Sequence, residues 1–161
     1  MERKAIFGFT LCFIFLFGEG MFGGSHRIQT FKNLMDALNS PARVKVVVHY
    51  AECRLVMDDE EVTRVPDAVG SLFLDTWEYF AKGAIRNEKA YLAASTSVLI
   101  HHSRYGYVLN YAKFRIEEDG NVEIVAQYLD PKSYEAVMDE TFFCRIDDGK
   151  SHGGVNLFLD N

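Results

Sequence analysis

Residues 107–129 read YVLNYAKFRIEEDGNVEIVAQYL, with apolar and polar side chains alternating on both sides of Glu118-Asp119-Gly120. A period of two belongs to a strand with one face buried. The central tripeptide therefore predicts a hairpin whose three-residue loop closes through a bulge, with Gly120 in the left-handed conformation. That loop length sets Arg115 against Glu123, Ile116 against Val122, Phe114 against Ile124 and Ala112 against Ala126. Opposite charges meet, and apolar residues meet. A two-residue Asp-Gly loop would instead oppose Ile116 and Glu123, and a slip of one residue reverses every side chain.

The register divides this segment into two faces. Val108, Asn110, Ala112, Phe114, Ile116, Val122, Ile124, Ala126 and Tyr128 form the core side. Asn110 is then expected to find polar partners inside. Tyr107, Leu109, Tyr111, Val125, Gln127 and Leu129 form the other side, with Lys113 and Arg115 toward solvent. Gly106 closes the preceding turn, and a second three-residue loop would place His101 across from Tyr107, Leu99 from Leu109 and Ser97 from Tyr111. Ser97, His101, Tyr107, Tyr111 and Gln127 thus make a polar-aromatic patch, suited to a small planar or sugar-like ligand through stacking and hydrogen bonds. The same five residues also read as the half-solvated side of an ordinary antiparallel sheet. His101 and His102 are neighbours on a strand, point to opposite faces and are poorly placed to share a metal. No metal and no cofactor is expected.

Upstream, IQTFKNLMDALNSP carries Ile28, Phe31, Leu34, Met35 and Leu38 at helical spacing, with Thr30 as cap and Asn39-Ser40-Pro41 as stop. RVKVVVHY, residues 43–50, returns to period two, with Val44, Val46, Val48 and Tyr50 on one side. The acidic run at 58–61 lacks the spaced ligands and glycine of a calcium loop and reads as a solvated turn. Pro66 and Gly70 mark turns, and SLFLDTWEYF, residues 71–80, fits either strand or helix. From Ala90 to Leu159 strand follows strand. The fold class is mainly β: an antiparallel meander, closed or partly open as a barrel, with one short N-terminal α-helix. Closure is favoured because it removes exposed edges.

Thirteen Phe and eight Tyr suit such strands. The net charge of -6 comes without a run of Lys or Arg, which argues against nucleic acid and against an electrostatic membrane anchor. Arg3 and Lys4 precede the apolar run 5–17, and Gly18 and Gly20 follow it. This pattern predicts a signal peptide over residues 1–20, cut near Gly20–Met21, with a retained signal anchor as the alternative. The mature chain, residues 21–161, is expected to be a single secreted domain with no membrane attachment. Cys12 leaves with the leader, and the remaining pair, Cys53 and Cys144, is expected to form one disulfide, two separate thiols being the alternative. No usable glycosylation sequon is present, because Asn39-Ser40 is followed by Pro41.

Catalytic constellations are thin. Ser95 or Ser97 with His101 and Asp130 matches a triad by residue type only. Asp75 with Glu78, or Asp139 with Glu140, would suit glycoside chemistry if they lined a cleft. Several segments nevertheless read together: VKVVVHYAEC, PDAVGSLFLDTWEYF, NEKAYLAASTSVLIHHSRYGYVLNYAKFRI, YLDPKSYEAVMDETFFCRI and GVNLF, with YGYVLNY and YLDPKSYEAVMDET the strongest. The mature chain resembles the VirK family of small secreted proteins, known first from bacteria and with animal members. The resemblance implies a compact secreted domain, brings no catalytic residues, and adds weight to a non-enzymatic role. The function expected is binding of an extracellular protein or small molecule. A lipocalin-like carrier of an apolar ligand is the first alternative and a hydrolase built on His101 the second.

Overall fold

A computed structural model describes residues 26–58 and 60–160, so the expected leader lies outside the described residues. Eleven strands share one sheet: β1 (His26–Ile28), β2 (Arg43–His49), β3 (Arg54–Met57), β4 (Glu60–Val62), β5 (Val69–Phe73), β6 (Trp77–Phe80), β7 (Tyr91–His102), β8 (Gly106–Glu117), β9 (Asn121–Leu129), β10 (Ala136–Ile146) and β11 (Gly154–Asp160). Helix α1 (Phe31–Leu38) precedes β2, and a single 3-10 turn (Tyr50–Glu52) joins β2 to β3. The expected mainly β fold with one short helix is present, and the sheet curls into an open half-barrel.

The meander follows the expected register. Ile116 opposes Val122, Phe114 opposes Ile124, His101 opposes Tyr107 and Ser97 opposes Tyr111. Gly106 and Gly120 supply φ values of 73° and 84° at the two turns. Arg115 opposes Glu123 along the backbone, but its guanidinium turns away from that partner. It lies 3.3 Å from Glu117 and 4.2 Å from the centroid of the Tyr91 ring. A planar, weakly hydrated cation gains from an aromatic face, and Glu117 supplies the carboxylate in place of Glu123.

The curl follows from the strand order β5-β2-β11-β10-β9-β8-β7-β6. Strands β5 and β6 are consecutive in the chain yet occupy opposite margins of the sheet. Leu74, Asp75 and Thr76 cross between the margins, which must therefore approach one another. SLFLDTWEYF is thus two strands, and its alternation breaks where the chain changes margin. Leu74 is buried and donates its N–H to the Val44 carbonyl at 2.9 Å, while Arg43 Nε holds Asp75 at 3.0 Å. Helix α1 packs beside this crossing, with Leu34 fully buried and Phe31 6.5 Å from Tyr79. Thr30 caps it as expected, accepting from the Asn33 N–H. Ile28 belongs instead to β1, which pairs with β11; three residues are too few to show a period.

One pairing departs from the antiparallel pattern. β10 and β11 run parallel, but only through Arg145–Gly154 and Ile146–Val155. The close approach depends on two glycines. A Cβ on Gly153 would stand 2.4 Å from the Arg145 carbonyl oxygen, and one on Gly154 would stand 2.7 Å from Cys53 Sγ. Beside this seam Cys53 and Cys144 form the expected disulfide, across 91 positions of sequence. The interior is filled by side chains such as Phe114, Leu34, Ile116, Ile124 and Leu157, all essentially out of solvent.

Candidate functional site

Strands β7 and β8 are twelve residues each, longer than β6 and β9 beside them. The end of their hairpin therefore stands clear of the core, where Val98 is 55%, Leu99 57% and Tyr107 66% exposed. Asn110 lies on the expected face, opposite Val98, but it is exposed rather than buried. Val108, nearer the turn on the same face, is buried, so the cover over this face is local and Asn110 lies beside it in solvent, needing no internal partner.

The five candidate residues share the outer face in two groups. Ser97, Tyr111 and Gln127 form one cross-strand row, which Gln127 Nε2 extends by donating to Asp139 Oδ2 at 2.8 Å. His101 and Tyr107 oppose each other farther out, with ring centroids 5.0 Å apart and edge to face. A row of Leu99, Leu109 and Leu129 separates the two groups. Beside Tyr111 an open groove of about 300 Å³ runs past Trp77, Glu78, Ser95 and Lys113.

The inner face carries a second constellation. Asp139 and Glu140 are neighbours on β10 and therefore part: Asp139 opposes Gln127 outside, and Glu140 opposes Ala126 inside. Tyr128 opposes Met138 on that inner side. Tyr50 reaches it from the 3-10 turn, its ring 4.7 Å from Phe142 and against the backbone of Gly70. His102 stacks on Tyr105 at 4.9 Å and tilts against Tyr128 at 5.1 Å. Its Nδ1 accepts the N–H groups of Arg104 and Tyr105 at 3.2 and 3.3 Å. In the neutral ring the proton then sits on Nε2, which remains a donor. Burial raises the Glu140 carboxyl above the usual glutamate range, and no cation among the described residues offsets it. The Tyr50 hydroxyl is raised as well, by burial first and then by Glu140 and Tyr128.

Sequence reasoning weighed Glu140 only as a mate for Asp139. The signal was available, since alternation from Phe142 and Cys144 puts Glu140 inside. Tyr50 was placed on the right side of β2, but its proximity to β9 and β10 comes from the curl. The other acid pairings do not converge. Asp75 is held by Arg43, Glu78 lies opposite Ala93 on the outer side, and Asp130 accepts the N–H groups of Lys132 and Ser133 in its own turn. Among the described residues no three of His, Cys, Asp and Glu are placed to hold a metal, and no helix is long and apolar enough to cross a membrane.

The family model for the VirK protein matches residues 27–134 of this chain. No curated protein matches it. Among solved structures, the crystal structure of a VirK family protein from Legionella pneumophila superimposes with a TM-score of 0.61 at 19% sequence identity. The alignment covers 82% of this chain and 98% of that one, and the likeness is one of fold.

Proposed function

The chain belongs to the VirK family, and from that premise we propose that it is a secreted, non-enzymatic binding module engaging an extracellular partner through the outer face of its meander. The observation that carries this reading is the overhanging β7–β8 hairpin, which holds Leu99 and Tyr107 of the outer face in solvent. Large apolar side chains gathered at one exposed end cost solubility and mark an interaction surface. His101, Tyr111 and Gln127 add hydrogen-bonding groups around the apolar row. The basic and apolar pattern of residues 1–20 supports export. The side-chain-filled interior favours a module over a carrier that would need an apolar cavity. His101, whose ring contact is Tyr107, offers a hydrolase no acid or nucleophile.

Expression of the tagged full chain in its own cells tests export, and the secreted form is expected to begin near Met21. The purified secreted protein is then expected to bind the surface of target cells saturably. A Leu99→Ser/Tyr107→Ser variant of unchanged melting temperature is expected to lose at least about tenfold in that binding. Retention inside the cell, or equal binding by the variant, would overturn the reading.

A further inference from the structure

We propose that the inner face of the half-barrel is a second site, which binds a small organic cation, an amine or quaternary ammonium group, between Glu140 and the rings of Tyr50, Tyr105 and Tyr128. It lies on the side of the sheet opposite the Ser97–Gln127 patch and does not rest on the reading of that patch.

Three observations meet here. The first is a half-buried carboxylate without a counter-ion from the described chain. A carboxylate withdrawn from water costs free energy unless something pairs with it. The second is the aromatic surround. Tyr105, Tyr128 and His102 pack within 4.9 to 6.1 Å of one another, and Tyr50 is wedged between Phe142 and Gly70. Such rings hold their electron-rich faces in fixed positions, and those faces attract cations. The third is Arg104, whose guanidinium already lies 5.2 Å from the Tyr105 centroid at the rim. One face of the cluster therefore accepts a cation in the structure itself.

The polar equipment agrees with the size and sign of that ligand. The chain's net charge of -6 draws cations toward the surface. The carboxylate repels anions. From the elements packed around it come Tyr50 from the 3-10 turn, Tyr128 from β9 beside the Ala126 that opposes Glu140, His102 from β7 beyond them, and Glu60 from β4, opposite Met57 of the β3 strand that pairs with β10. Burial raises the Tyr50 hydroxyl and Glu60 is exposed, so Glu140 is the half-buried acid that a bound cation meets.

The test titrates the folded chain with benzyltrimethylammonium and, separately, with its neutral carbon isostere. Calorimetry and amide NMR follow the binding at pH 8 and pH 5. Saturable binding of the cation is expected at pH 8, with shifts at residues 50, 128 and 140. Affinity is expected to be lower at pH 5 than at pH 8, because burial makes Glu140 take up its proton earlier on acidification than an ordinary glutamate does. Glu140→Gln is expected to weaken binding by roughly tenfold at pH 8 and to remove the pH dependence. Tyr128→Leu is expected to weaken it at both pH values, and Tyr111→Ala on the outer face to leave it unchanged. Trp77 fluorescence and the melting temperature confirm that each variant is folded. Absence of saturable binding, equal affinity for the neutral isostere, or full affinity in folded Glu140→Gln would each overturn the proposal. So would a methyl glycoside binding at these residues in place of the cation. Loss of cell-surface binding in the tip variant, with cation binding intact, would separate the fate of the two sites.

Discussion

At the scale of single residues, two glycines show how differently one backbone angle is read. Gly120 and Gly154 both have positive φ, 84° and 80°. Around Gly120 there is open space, so alanine there meets backbone strain alone, about 1 kcal/mol. At Gly154 the same strain is joined by a Cβ 2.7 Å from Cys53 Sγ and 3.3 Å from the His49 carbonyl oxygen. Gly154→Ala is therefore expected to cost about 3 kcal/mol or more, since overpacking adds to strain. Urea unfolding followed by the single Trp77 compares the two variants. Equal losses would refute the crowding argument. Gly120 was legible because its turn is local, whereas the neighbours that crowd Gly154 come from a segment far away in sequence. Glu140 gives a second residue-level prediction, with its sign set by burial. Its folded pKa is raised, so the folded state binds the proton more tightly than the unfolded chain does. Glu140 thus helps the fold below the ordinary glutamate value, and that help disappears as pH rises through the folded value. Glu140→Gln is expected to leave the melting temperature nearly unchanged at pH 4 and to raise it at pH 8. A lower melting temperature at pH 8 would mean that the carboxylate has a partner inside.

Among the elements, what could be read depended on whether the pattern was local. The β8–β9 hairpin was legible from the loop composition and the facing pairs, and α1 from the Thr30 cap and the Leu34 stripe. The β5–β6 segment was not, because each strand is short and Leu74-Asp75-Thr76 interrupts the alternation between them. Asn110 is exposed although Val108 on the same face is buried: strand period assigns a face, but what packs over each position decides whether it is covered. The connections flanking β10 carry a prediction of their own. Asp130 accepts the backbone N–H groups of Ser133 and Lys132, and Asp148 those of Ser151 and Lys150. These bonds lower both carboxyls below the usual range. Asp147 is lowered by the Gly149 N–H first and then by Arg27. A lowered folded pKa stabilises the fold above the ordinary aspartate value, and that support is lost as pH falls through the folded value. Acid is therefore expected to loosen residues 130–135 and 147–153 before the meander. In an amide NMR titration, Lys132, Ser133, Lys150 and Ser151 should shift and broaden first. Phe114 and Ile124 changing at the same pH would contradict this order.

For the whole molecule, the sheet divides into two blocks that meet at one seam. β5, β2 and β11 form one block, while β10, β9, β8, β7 and β6 form the other. Only the two parallel residue pairs of β10 and β11 join them directly, where β7 and β8 share twelve. Sequence could supply the two cysteines and the meander but not this seam, because it depends on Gly153 and Gly154 letting two backbones meet. The Cys53–Cys144 bond lies beside the seam, with Cys53 Sγ facing Gly154. It fixes Cys53, where the chain leaves the β2 block through the 3-10 turn, to β10, the strand with which β3 then pairs through Arg54, Leu55 and Val56. By chain entropy alone a crosslink over 91 positions contributes roughly 4–5 kcal/mol. Its position adds a directional expectation. Without the crosslink the molecule should part along the β10–β11 seam, because there the fewest ladder bonds oppose opening. In a Cys53→Ala/Cys144→Ala variant, hydrogen exchange is expected to speed up in β2, β5 and β11 well before β7, β8 and β9. The oxidised protein should resist reductant until denaturant is added, since both sulfurs are buried. Uniform loss of protection across all strands would instead mean that the blocks unfold as one, and that the bond acts on the unfolded chain alone.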